Sequence, residues 1–222
     1  MGKQFTRRLA CLCLGVVITG AAFMLPAQAA ETDPQKFLRG LAADMHVVLT
    51  DDDLTSASRA HAFRQLLRRD FDLPAVGRFV LGRYWRRANE AEQSEFVRLF
   101  EDYIVAIYGR RLGNYGSGGL TVTGHRTDGN NGAVVHSKIE PHNAPVILLD
   151  WRLKLRESGG RVVDIMVEGV SLALAQRAEF TSVIRSSGGK VSGLLVKLRK
   201  KTQTVALSND AISPASGAVR TQ

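Results

Sequence analysis

Cysteine is almost missing from this 222-residue chain: Cys11 and Cys13 are the only two, and both fall in the first thirty residues. A domain downstream of them must hold together without disulfides and has no thiolate to offer a metal or a substrate. Histidine is no better placed. His46, His61, His125, His136 and His142 include no pair four residues apart on a helix, so a helical metal site lacks its ligands. His136 and His142, near the end of one strand, read as surface residues. The run Gly113-Asn114-Tyr115-Gly116-Ser117-Gly118-Gly119 lacks the Lys-Ser/Thr and the following helix of a phosphate-cradling loop, and reads as a turn. Gly169-Val170-Ser171-Leu172-Ala173 lacks the second glycine of a nucleophile elbow, so Ser171 reads as a helix cap. Acidic charge is short as well: 21 carboxylates against 30 Lys and Arg give a formal net charge of +9. That balance points to anionic partners, and the N-terminus decides which.

Lys3, Arg7 and Arg8 form a positive start with no acid, Leu9 to Leu25 is almost wholly apolar or small, and Ala27-Gln28-Ala29 is a small-x-small cleavage pattern. This is the three-part plan of a secretory signal, expected over residues 1–29. The apolar stretch is interrupted by Gly15, Thr19 and Gly20, which argues against a retained membrane anchor. Cleavage removes both cysteines and three positive charges. About 190 residues remain, enough for one domain with a real core. Export to the periplasm makes nucleic acid a poor partner for the remaining charge and favours anionic lipid surfaces or acidic proteins.

The exported part opens with helical periodicity. Phe37, Leu38, Leu41, Met45, Val48 and Leu49 mark a helix over 34–50. Asp51-Asp52-Asp53 offers a cap to a second helix, over 54–69, with Ala60, Phe63, Leu66 and Leu67 on one side. Pro74 suits the first turn of a short third helix. The fourth is the clearest, with Asn89 and Glu92 as a capping box and Phe96, Leu99, Phe100, Tyr103 and Ile107 on one broad face. It ends near Gly113. From residue 120 the period changes to two, giving strands over 120–126, 133–140, 145–156 and 161–170. In the third, Ile147, Leu149, Trp151, Leu153 and Leu155 alternate with Asp150, Arg152, Lys154 and Arg156. The links between strands are too short for parallel crossovers. Helical spacing returns through Leu172, Phe180 and Ile184, and again through Leu194, Leu195 and Leu198; from 203 the chain reads as a disordered tail. The expected fold is α+β, with helices packed on the apolar face of a curved four-stranded antiparallel sheet, in a domain over 30–202.

Catalysis would need an acid and a base facing inward. Asp164 and Glu168 alternate with Val163, Ile165 and Val167 and are expected on the opposite face, paired with Arg152 or Lys154 across strands. The basic groups Arg64, Arg68 and Arg69; Arg83, Arg86 and Arg87; Arg110 and Arg111; and Lys197, Arg199, Lys200 and Lys201 cap or flank helix C-termini, where positive charge offsets the dipole. As a functional alternative they form a rim for phosphate headgroups or a docking face, with Arg83, Arg86, Arg87, Arg110 and Arg111 the candidates.

Leu81-Gly82-Arg83-Tyr84-Trp85-Arg86-Arg87-Ala88, followed by the capped helix with Phe96, Phe100 and Tyr108, resembles the central signature of the MlaC family, also called toluene-tolerance proteins. A second stretch agrees: Asp164-Ile165-Met166-Val167-Glu168-Gly169-Val170-Ser171-Leu172, then Gln176-Arg177-Ala178-Glu179-Phe180 and Gly193-Leu194-Leu195. The resemblance runs from about residue 34 to 201. It implies a periplasmic auxiliary component of a lipid-transporting ABC system, with a hydrophobic pocket between sheet and helices and neither cofactor nor catalytic residues. The implied partners are a phospholipid or a hopanoid-type lipid, an inner-membrane MCE-domain protein, and an outer-membrane lipoprotein complex. The apolar faces available to line such a pocket are Phe96, Leu99, Phe100, Tyr103 and Ile107 on the fourth helix, and Leu149, Trp151, Leu153, Val163, Ile165 and Val167 on the sheet. Two rivals stand beside it: a small α+β pocket enzyme of the isomerase or dehydratase kind, and a periplasmic adaptor with a filled core.

Overall fold

Helix caps written in the sequence set most element boundaries. In the computed structural model, which describes residues 33–111, 119–141 and 144–210, α1 spans Pro34–Thr50. The Asp33 carboxylate accepts from the N–H groups of Gln35 and Lys36, and Pro34 sits in the first turn, where its missing N–H costs nothing. α2 spans Ser56–Asp70 and is capped by Thr55, not by the aspartate run before it. Asp51 is used in a local turn instead, accepting from Asp53 N–H. α3, Leu73–Leu81, carries Pro74 in its first turn and ends at Gly82, whose φ of 53° leads into a 3-10 helix over Gly82–Arg87. α4, Glu90–Arg111, opens with a reciprocal capping box: Asn89 accepts from Glu92 N–H at 2.9 Å and Glu92 accepts from Asn89 N–H at 3.1 Å.

The sheet has five antiparallel strands in sequential order, one more than the pattern predicts. They are β1 Leu120–Thr127, β2 Gly132–Ile139, β3 Ile147–Arg156, β4 Gly159–Val167 and β5 Val170–Ser171. The extra strand arises because the stretch expected to run unbroken over 161–170 folds back at Glu168-Gly169. Both residues have positive φ, 50° and 77°, the two-residue hairpin geometry usually filled by Asn-Gly. Glu168 is held there by its own carboxylate, which accepts from Leu148 N–H at 2.6 Å. α5, Leu172–Ser186, starts on the expected cap, with Ser171 Oγ accepting from Leu174 N–H.

The last helix, α6, spans Val191–Asp210 and so continues past residue 203, where the sequence suggests a tail begins. No Gly or Pro breaks Lys201–Leu207, and the Thr202 and Thr204 hydroxyls donate to carbonyls one turn back. The predicted signal at 1–29, the remainder of the tail from 211 and most of the Gly-rich run lie outside the described residues.

A β-bulge decides which residues face inward. Arg152 pairs with Asp164 but Leu153 pairs with Val162, so Val163 is the extra residue on β4. Strict alternation back from Ile165 therefore fails by one, and Val162, fully buried, takes the inward place that the sequence pattern gives to Val163.

Three apolar clusters fill most of the interior. Phe96, Leu99, Phe100 and Tyr103 of α4 meet Phe180 and Ile184 of α5 and Leu194, Leu195 and Leu198 of α6. The Phe96 and Phe100 rings stack with centroids 5.7 Å apart, and Phe180 meets both edge-on. Leu38 and Leu41 of α1 cover Val135, Trp151, Leu153 and Val162 of the sheet. Phe63, Leu67, Leu73 and Val105 join α2, α3 and α4.

Arg64 and Arg68 of α2 are not solvated charges at a helix end: both reach Glu101, buried on α4, at 2.7 and 2.9 Å. Burial disfavours the Glu101 charge, but the hydrogen bonds from Arg68 and Arg64 outweigh it and hold the carboxyl below its ordinary value. Its contribution to stability is therefore present at neutral pH and lost as pH falls through the lowered value. Glu101→Gln is expected to cost about 2 kcal/mol at pH 7 and much less under acid, a convergence that denaturant melts at the two pH values would reveal.

Candidate functional site

Between the clusters the helices do not close on the sheet, and a cavity of about 290 Å³ remains. Small-molecule pockets run from roughly 300 to 1,000 Å³, so this void stands at the lower edge of that range. Its walls come from nearly every element. α1 contributes Ala42, Met45 and Leu49; α2 contributes Phe63 and Leu67; α3 contributes Leu73 and Val76. α4 supplies Phe100, Tyr103, Ile104 and Tyr108, and the sheet supplies Leu120, Ile139, Leu149, Trp151 and the residues around the bulge. Leu172, Ala173 and Gln176 of α5 complete it. Water in such a space would find few hydrogen-bonding partners, so an apolar occupant is favoured.

Seven of the eleven predicted lining residues border the cavity: Phe100, Tyr103, Leu149, Trp151, Val163, Ile165 and Val167. Phe96, Leu99, Leu153 and Ile107 do not. Phe96, Leu99 and Leu153 are buried in filled core, at 0%, 3% and 1% exposure, and Ile107 packs partly buried against the first cluster. The reason is that α4 is apolar on two flanks. One meets α5 and α6; the other, through Ile104 and Tyr108, faces the void. Sequence periodicity marks a helix face but not which neighbour covers it. The α1 wall was legible as an amphipathic helix, though nothing in its pattern distinguishes Ala42 and Met45 as lining residues.

One buried polar pair orients the floor. Trp151 Nε1–H donates to Ser137 Oγ at 2.9 Å, and the Ser137 hydroxyl donates to Leu149 O at 3.3 Å. The indole is thereby fixed with its apolar body toward the cavity and its one donor satisfied. Ser137 sits where β2 alternation calls for an apolar residue, and that break in the pattern is the signal for it.

Asp164 departs from expectation. It borders the cavity, because the bulge beside it turns this part of β4. Its two oxygens are nevertheless committed: Oδ2 accepts from Ser171 Oγ at 2.6 Å and Oδ1 from Ala173 N–H at 3.1 Å, at the start of α5. Its expected partner, Arg152, pairs instead with Asp128 at 3.0 Å. Glu168 lies at the exposed hairpin turn. His46 is the histidine that borders the cavity; it is exposed on α1 and makes no hydrogen bond to Asp164. The arrangement is a helix cap beside an apolar space. Asp164→Asn should cost about 1 kcal/mol in thermal or denaturant melts, the scale of a cap, and leave occupancy of the cavity unchanged.

The predicted docking arginines fall in two places. Arg83, Arg86 and Arg87 lie exposed on the 3-10 helix. Arg110 and Arg111 end α4, and their side chains lie outside the described residues. The hydrogen bond from Arg83 holds the Tyr84 phenol below its ordinary value; burial opposes this and Arg185 adds to it.

This geometry has counterparts among known proteins. A family model, MlaC protein, matches residues 40–200. Toluene tolerance protein ttg2D of Pseudomonas putida is 24% identical over 179 residues, covering 78% of this chain and 83% of that protein. A solved structure of the phospholipid-binding protein from Ralstonia solanacearum, in complex with a phospholipid, matches with a TM-score of 0.68 at 22% identity, over 78% of this chain and 99% of that one. At such identity the structural likeness shows a shared fold. The family match spans well over half of the sequence and includes both the stretch from Leu81 to Tyr108 and that from Asp164 to Leu195: the chain belongs to the MlaC protein family.

Proposed function

We propose that this protein carries a membrane lipid through the periplasm, holding an acyl chain in the cavity between α1–α5 and the sheet. The observation that carries the reading is the apolar void of about 290 Å³ in a member of this family. Burying about 15 methylenes at roughly 0.8 kcal/mol each gives a gross gain on the order of 12 kcal/mol, enough to hold a lipid in water once the chain is enclosed. Phospholipid is the favoured cargo, since the Ralstonia solanacearum relative was solved with one. Phe100, Tyr103, Leu149, Trp151, Val163, Ile165 and Val167 would touch the chain, with Ala42, Ile104 and Val162 beside them.

In this reading residues 1–29 direct export and are removed. Release of so large a gain requires partners that favour an emptied conformation: an MCE-domain protein of an inner-membrane ABC transporter on one side and an outer-membrane lipoprotein complex on the other. The cavity itself weighs against an adaptor with a filled core. The commitment of Asp164 to the α5 cap weighs against a pocket enzyme. The test is uptake: the processed chain, mixed with vesicles containing an acyl-labelled phospholipid, should leave with label in a soluble complex. Failure to acquire label after prior delipidation would contradict the reading.

A further inference from the structure

One face of the molecule, formed by the end of α3, the 3-10 helix and α5, holds cations without counter-charges. Arg83 donates to the Tyr84 hydroxyl at 3.1 Å and lies 5.0 Å from that ring's centroid; Arg87 lies 5.6 Å from the same ring. Arg185 lies near the same phenol and, after Arg83, helps to hold it below its ordinary value. Arg177 lies 5.2 Å from the Phe79 ring and packs on Gly82, where an added Cβ would come within 2.9 Å of the guanidinium. Among the described residues none of these four arginines has a carboxylate within ion-pair distance. Arg64, Arg68, Arg69, Arg98, Arg152, Arg156 and Arg199 each have one. Other arginines, such as Arg78, Arg126 and Arg161, also have no carboxylate at that distance among the described residues; what sets these four apart is that they gather around two adjoining rings, Tyr84 and Phe79.

The same face exposes apolar side chains. Phe79 is 42% exposed and Leu174 57%. Leu174, Arg177 and Arg185 recur at helical spacing along one side of α5, and Phe79 lies under Arg177. Each guanidinium is already placed by an aromatic ring or a phenol, so less freedom is lost when it meets a phosphate. Guanidinium groups bind phosphate oxygens in pairs, and Phe and Leu beside them suit the boundary between headgroups and acyl chains.

We propose that this face docks reversibly on the anionic headgroup layer of a phospholipid bilayer, with the four arginines on lipid phosphates and Phe79 and Leu174 entering the interface. A single-signed rim around exposed apolar residues favours a bilayer over a folded acidic protein, whose surface would meet it with a mixture of charges and acceptors. Val76 and Gln176 line the cavity from the same two helices, three residues and one residue from Phe79 and Arg177, so a bilayer bound here lies near one wall of the cavity. Docking does not rest on the carrier reading, since attachment is measured without lipid transfer.

Sedimentation with vesicles tests it, using the chain as exported and processed by a bacterial host. Vesicles of phosphatidylglycerol and phosphatidylcholine in equal parts should bind it at least about tenfold better than phosphatidylcholine alone, and less as salt rises. Arg87→Gln with Arg185→Gln should lower that binding by about tenfold or more, at roughly fivefold for each charge. Arg87→Lys with Arg185→Lys should retain most of it. Arg126→Gln with Lys154→Gln removes the same charge from the open face of the sheet and should change it by less than about twofold. Absence of a preference for anionic vesicles overturns the proposal. So does equal loss in the two glutamine pairs, which would mean diffuse attraction. Binding to immobilised polyglutamate that requires Arg87 and Arg185, without vesicle binding, would assign the face to an acidic protein and also overturn it.

Discussion

Ala42→Trp is expected to strip the protein of lipid without unfolding it. Ala42 sits on α1 at the cavity wall, half-buried, with the void beyond its methyl group. In a filled core an indole there would cost stability through overpacking. Here it has an empty apolar space to enter, and burying its surface should hold or raise the melting temperature. The same indole occupies volume the acyl chain needs. Displacing three or four methylenes forfeits about 3 kcal/mol, two decades of affinity. The neighbouring Ala43, exposed on the same helix, provides the control: Ala43→Trp should leave lipid content as it is. Lipid measured per mole of purified protein, beside a thermal melt, separates the two outcomes. Equal lipid in all three proteins would show that the cargo is elsewhere.

Phe96→Ala is expected to do the converse. Phe96 is fully buried, stacks on Phe100 and meets Phe180 edge-on, yet does not border the cavity. Truncating a phenylalanine in such a place costs about 3–5 kcal/mol, a large part of the stability of a domain this size. What survives folded should still bind lipid, because the wall made by Phe100, Tyr103 and Ile104 is intact. Ile104→Ala, on the cavity side of the same helix, should cost less in stability, since the removed atoms already faced a void. Denaturant melts of the two variants, with lipid content measured on each, give the comparison. A larger stability loss for Ile104→Ala than for Phe96→Ala would mean the two flanks of α4 have been assigned the wrong way round.

That contrast shows how far the sequence could be read. The capping box at Asn89 and Glu92, Ser171 at the head of α5 and the antiparallel order of strands rest on local chemistry, and all of them stand in the fold. The cavity was harder to place because lining and filling residues are chemically alike. Phe96 and Phe100 lie one turn apart with the same side chain and both meet Phe180, and only the placement of the surrounding elements leaves Phe100 bordering the void as well. Val162 and Asp164 changed roles for another reason: a bulge adds one residue to β4, and no composition signal around Val163 announces it. The sequence pattern places Glu168 in a strand because Glu is an unusual occupant of a left-handed turn; the hydrogen bond its carboxylate accepts from Leu148 N–H, twenty residues away in sequence, is what holds it there.

The arginines illustrate the same limit. Arg64 and Arg68 look in sequence like Arg83 and Arg87, basic residues near helix ends. Glu101 and Asp102 approach the first pair from α4, and only the lack of any such approach leaves the second pair on Tyr84. Charge that is structural and charge that is available differ here by the carboxylates that one neighbouring helix supplies.

The most direct test of the account is the lipid content of the protein as a cell makes it. The exported and processed chain, purified without detergent, would be extracted with organic solvent and the extract weighed against protein by mass spectrometry. The cavity and the family together predict an acyl lipid, phospholipid above all, in near-stoichiometric amount, and its loss in Ala42→Trp. A wild-type protein that yields no lipid, and takes up none from vesicles, would contradict the claim that this void is a lipid site.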